Sequence, residues 1–205
     1  MKNHALLAIS LLMAILSFQF CAAQNKNGIK MTGDPQPWGN KDMLRLANWQ
    51  HLDYHKVKFT GKELKGKNWM IVYKEIWYGK VNKVDTLFNT KNNSFAGPLK
   101  DDTLSFAVMG GRSGAKSLKT EFFFDRFAVN HDYIAVNSDD YSLRILERES
   151  NIEPGKPFYA FAYILPYEKD GFKYYCAVEG SGKDVEKWGT EFDIEHYILF
   201  EMTFF

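Results

Sequence analysis

The sequence predicts an all-β protein, a mostly antiparallel β-sandwich behind a cleaved signal peptide. Three observations carry this expectation. Apolar and polar residues alternate at period two in many short stretches, as in Leu143-Arg144-Ile145. The chain holds 17 Phe, 11 Tyr and 5 Trp, side chains that suit a pleated, half-buried surface. Turn residues punctuate the stretches, most clearly at Asp170-Gly171. Strand order does not follow from such a pattern, so jelly-roll and Ig-like connections fit equally well.

The first element is a leader. Lys2 precedes an apolar run from Ala5 to Leu16, and Cys21-Ala22-Ala23 stands before Gln24. A basic start, an apolar core and small residues at a cut describe a secretory signal peptide, with cleavage expected after Ala23. The apolar run is too short to span a bilayer, and no later segment offers the ~20 apolar residues that a transmembrane helix needs. Lipid attachment at Cys21 fits less well than ordinary cleavage, because Phe18, Gln19 and Phe20 occupy positions where small residues are wanted. The expected organisation is a signal peptide over 1–23, a flexible N-terminal arm over 24–40 and one β-sandwich domain over 41–205.

Within the arm, Gly28, Gly33, Pro35, Pro37 and Gly39 are turn-rich. Residues 41–50 are ambiguous, although Met43, Leu46 and Ala47 share one helical face and Asp42 suits a cap. Val57 and Phe59 then alternate with lysines. Trp69 to Trp77 is apolar on both faces, as in a central strand. Gly79 marks a hairpin, and Val84 to Phe88 returns. Leu104, Phe106 and Val108 alternate with Ser105 and Ala107. Glu121 to Val129 reads as a long aromatic strand, followed by a turn at Asn130-His131-Asp132 and a strand from Tyr133 to Val136. Leu143 and Ile145 mark another. Phe158 to Tyr167 and Phe172 to Val178 flank Asp170-Gly171, a pair that accepts positive φ in a hairpin. Asp184 to Gly189 suggests a helical turn, and His196 to Phe205 a last strand.

Removing the leader removes one lysine, leaving 25 basic residues against 25 acidic ones. A neutral chain argues against nucleic acid as a partner. The lysines between Lys56 and Lys67 are interleaved with glycines and strand residues, as on a solvated hairpin edge. Cys176 is the one cysteine left, so no intramolecular disulfide is expected.

The sharpest chemical candidate is His51-Leu52-Asp53-Tyr54-His55. On a strand, positions two apart share a face, and two imidazoles with one carboxylate form a plausible ligand set for a divalent metal. Trp38 and Trp188 fall in loop-like segments, where an exposed ring could stack on a sugar or anchor a protein. Gly110 to Ser117 nearly matches a phosphate-binding loop, but Ala115 replaces the glycine before Lys116 and no helix follows. Ser181 lies in a glycine turn. Asp85-Thr86-Leu87 and Asp102-Thr103-Leu104 resemble the sites at which some Gram-negative bacteria glycosylate exported proteins. The terminal Phe204-Phe205 resembles the end of outer-membrane barrels, although Glu201 would face lipid.

The expectation is therefore an exported protein of the bacterial envelope, periplasmic or at the cell surface. Its expected role is non-enzymatic binding or assembly with a protein or glycan partner and without a cofactor. A secreted metal-dependent hydrolase using His51, Asp53 and His55 is the alternative, and a small outer-membrane β-barrel the third.

Overall fold

The computed structural model describes residues 28–35, 39–146, 151–175 and 184–205. The expected leader, Cys21, Trp38, Cys176 and Ser181 lie outside the described residues. In chain order the strands are β1 (Lys30–Pro35), β2 (Asp53–Thr60), β3 (Trp69–Trp77), β4 (Lys80–Asn89), β5 (Thr103–Gly114), β6 (Ser117–Phe124), β7 (Phe127–Ile134), β8 (Ser142–Ile145), β9 (Phe158–Ile164), β10 (Tyr167–Lys169), β11 (Phe172–Tyr174) and β12 (His196–Phe204). Helices α1 (Lys41–Trp49) and α2 (Trp188–Glu191) complete the elements used below. No helix among the described residues is long and apolar enough to cross a membrane.

Sheet A has the order β1-β2-β5-β6-β7, and sheet B the order β4-β3-β12-β9-β8. All their pairings are antiparallel. The two open five-stranded sheets pack face to face as a β-sandwich. Phe59, Phe106, Phe122, Phe161, Phe200 and Phe204 interlock between them, with edge-to-face pairs such as Phe122–Phe200 at 5.5 Å. Such pairs set ring against quadrupole-complementary edge while burying large apolar area.

The centre of sheet B is buried on both sides. Ile198, Phe200, Met202 and Phe204 of β12 face sheet A, while Tyr197 and Leu199 meet a second cluster with Ile76, Ile164, Trp188 and Ile194. Residues 184–194 roof that outer face. β12 is thus a central strand covered by protein on both faces, which explains its continuous apolar pattern.

Several elements differ from the sequence expectation. The 24–40 segment supplies an edge strand, β1, because Met31 is buried in the core while Lys30, Thr32 and Asp34 point outward. Asn40, rather than Asp42, caps α1: its Oδ1 accepts the Asp42 amide at 2.8 Å. The expected turn at Asn130-His131-Asp132 lies in mid-strand. The chain turns at Asp125-Arg126 instead, and the inward side of β7 carries Phe127, Val129, His131 and Tyr133. The strand expected to reach Tyr167 stops at Ile164, since Pro166 has no amide for a ladder. Beyond it, Asp170 (φ 53°) and Gly171 (φ 77°) close the β10–β11 ribbon as the expected hairpin turn.

Candidate functional site

A concave surface crosses the outer face of sheet A. Register places Asp34, Lys56, Ala107 and Phe123 in one row, and Thr32, Lys58 and Ser105 in the next. Alternation sends all of these outward, while Val57, Phe106 and Phe122 fill the core. Ser105 and Ala107 are small, so the middle of the sheet sinks between the lysines of β2 and the Phe123 ring of β6. The result is a groove of about 560 Å³, rimmed also by Asp125. It crosses four strands, three spacings or about 14 Å. Beyond it, Leu52 packs onto Gly111, where an added Cβ would lie 2.5 Å from Leu52 Cδ2. The α1 end of the sheet is roofed in this way, and the groove side is open.

Of the cluster singled out in the sequence, two members converge. Asp53 and His55 share the inner face of β2, as their spacing requires. Asp53 Oδ2 accepts the Leu143 amide at 2.7 Å. His55 Nε2 lies 2.7 Å from the Leu143 carbonyl oxygen; a carbonyl only accepts, so Nε2 carries the proton. The two side chains thereby satisfy the backbone of β8, an edge strand of sheet B. Close approach of the sheets makes the reach possible. An added Cβ on Gly110, the register partner of Asp53, would sit 3.2 Å from the Tyr163 ring and 3.4 Å from Leu143 Cβ. His51 is exposed, in the turn after α1, with φ 51°. Among the described residues no group of three His, Cys, Asp or Glu is placed to hold a metal. Burial pushes the Asp53 carboxyl up to about 6, against the Leu143 amide and Arg144, which both lower it.

A second polar network lies near the same end. His196 is fully buried; its Nδ1 is 2.6 Å from Tyr141 Oη, which also accepts the Val136 amide at 3.2 Å. The imidazole stacks 4.1 Å from the Trp77 ring, and burial pushes its pKa down to about 4.

On the outer face of sheet B, Lys74 is held by Glu186 at 2.7 Å and Glu201 at 3.1 Å, and it also donates to Tyr159. Tyr159 in turn donates to Glu186. Burial works against the ammonium, but the bonds to Glu186, Tyr159 and Glu201 outweigh it and raise the Lys74 pKa. The network ties residues 184–194 to the sheet. Trp188 belongs to this roof: it is 2 % exposed, and its ring lies 6.2 Å from Tyr197. Its place is interior, at the underside of the roof.

The remaining motifs take ordinary positions. Gly110 to Ser117 forms the end of β5, a two-residue turn and the start of β6. Thr86 is exposed on edge strand β4, and Thr103 opens β5 half-buried. Sequence reasoning missed Lys56, Lys58, Ser105, Ala107 and Phe123 as a set. Each shows the right alternation in its own strand, but the signal that joins them is the β2-β5-β6 adjacency. No family model matches this chain, and no curated protein or solved structure matches it either.

Proposed function

We propose that this chain is an exported protein of the bacterial envelope, that it acts as a non-enzymatic binding or assembly module, and that it holds its partner in the groove of sheet A. The observation that carries the reading is the groove itself. It is a concave face with two lysines, two aspartates, a threonine and a serine around a partly exposed aromatic ring. Ligand sites combine a concave surface with a few placed polar groups in this manner. The recruitment of Asp53 and His55 to the Leu143 backbone supports the non-enzymatic part, because Asp53 Oδ2 and His55 Nε2 are engaged in holding β8. The signal-like residues 1–23 support export.

Two measurements test the proposal. Purified 24–205 is passed over immobilised envelope fractions beside a groove variant, D34A/K56A/K58A. Retention of the wild type and loss of the variant is the expected result; equal behaviour overturns the groove reading. For export, intact mass of the protein recovered from fractionated cells is expected to start at Gln24. An uncleaved chain in the cytoplasm overturns that part.

A further inference from the structure

We infer that the groove of sheet A takes an uncharged oligosaccharide, with one sugar ring on the face of Phe123 and its hydroxyls shared among Asp34, Lys56, Lys58, Ser105 and Asp125. The inference rests on the binding role proposed above and names its ligand class.

Charge comes first. The rim holds two ammonium and two carboxylate groups, Lys56 and Lys58 against Asp34 and Asp125. Among the described residues none of the four forms an ion pair, so all keep free donors or acceptors for a ligand. Their sum is zero. An anionic or cationic ligand would meet as much repulsion as attraction, whereas a neutral polyol uses both kinds of group at once. A sugar hydroxyl donates to a carboxylate and accepts from an ammonium, and such charge-assisted bonds are the stronger ones.

Shape comes next. Ser105 and Ala107 leave the floor low beside Phe123, whose ring is only partly buried. A pyranose has an apolar face of C–H groups that suits an aromatic surface. The groove crosses the strands for about 14 Å, longer than one ring. It therefore fits a chain of sugars better than a monosaccharide.

The backbone argues against a peptide. At the floor, β2 and β5 are paired on both sides, so their amides and carbonyls are committed to the ladders. An extended peptide recognised by strand addition needs an unpaired edge. A sheet face offers side chains alone, and these are mixed in sign and hydroxyl-directed.

The test is calorimetric titration of residues 24–205 with neutral cello-, xylo-, manno- and chito-oligosaccharides, a polyuronate fragment and an extended acidic peptide. Phe123→Ala and Ala107→Leu are run alongside, the second filling the floor without touching the ring. Each variant's melting curve checks that it is folded. The expected result is binding of at least one neutral oligosaccharide, with affinity almost unchanged by salt and weakened at least about tenfold, or 1.4 kcal/mol, by either substitution. Salt-sensitive binding of the polyuronate or the peptide in the groove overturns the inference and leaves the binding role standing. So does silence across all the sugars when the D34A/K56A/K58A variant still loses envelope retention. If that variant is retained as well as the wild type, the binding role itself fails.

Discussion

Asp53 of β2 reaches across the sandwich to accept the backbone amide of Leu143, 2.7 Å away on an edge strand of the other sheet. Two residues along, His55 holds the carbonyl of the same leucine. An unpaired strand edge invites association with other chains. Here the edge is closed at one residue by two side chains from the opposite layer.

Replacing Asp53 separates the bond from the charge. Asp53→Ala leaves the Leu143 amide without its acceptor, an expected loss of about 1–3 kcal/mol. Asp53→Asn keeps an acceptor oxygen and removes a buried charge, so it is expected to match or exceed the wild type at pH 7. Thermal melts of the three proteins check this.

The pH dependence is expected to show two opposed contributions. The folded-state pKa of Asp53 is about 6, above its ordinary value of 3.8. The native state therefore binds that proton more readily, and Asp53 adds stability as pH falls from about 6 toward 4. His196 does the reverse. Its folded pKa of about 4 lies below the ordinary 6.5, so unfolding takes up its proton and stability drains away as pH falls through the same interval. Each amounts to about 3 kcal/mol at the limit. The Asp53→Asn variant is expected to lose stability more steeply than the wild type between pH 6.5 and 4, and His196→Phe less steeply. Urea titrations across that range read the slopes; identical slopes would count against both assignments.

Lys74 is expected to be the latch of the roof over sheet B. Lys74→Met leaves Glu201 and Glu186 without their ammonium, at a cost of about 2 kcal/mol or more. The distinguishing readout is local: hydrogen exchange should quicken in residues 184–194 before it does in β5 or β6.

Gly189 is expected to tolerate no side chain. An added Cβ would stand 2.3 Å from the Gly79 amide nitrogen and 2.6 Å from its Cα. Both are backbone atoms at a hairpin whose Tyr78 and Gly79 already hold positive φ. Gly189→Ala should therefore shift the β3–β4 turn and cost about 1–3 kcal/mol, measured as a lowered urea midpoint.

The fold was largely legible because period-two alternation is local. Leu143 and Ile145, the Asp170-Gly171 turn and the apolar β12 announce themselves within a few residues. The turn at Asp125-Arg126 did not, because Asp125 lacks the following glycine that marks a tight hairpin, and Asn130-His131-Asp132 imitates a turn. The site was less legible for a different reason. The i, i+2 spacing of Asp53 and His55 does place both on one face, but their target is the backbone of a residue far along the chain. Trp188 sits in a segment that reads as loop, and only the packing of residues 184–194 onto sheet B turns its ring inward. Phe123 and Lys56 come together through strand order, which alternation does not contain.

The position of β12 has a consequence in time. It is the last of the described strands to leave a ribosome or a translocation pore, yet among the described residues it is the strand whose ladders join the β3–β4 hairpin to the β8–β9 pair. Its partner Trp77 precedes His196 by more than half the chain, and closures over such separations are slow compared with hairpin formation. Until β12 pairs, the two halves of sheet B have no described strand to join them. A chain stalled before residue 196 presents their bare edges, on β3 and β9, to any neighbouring copy.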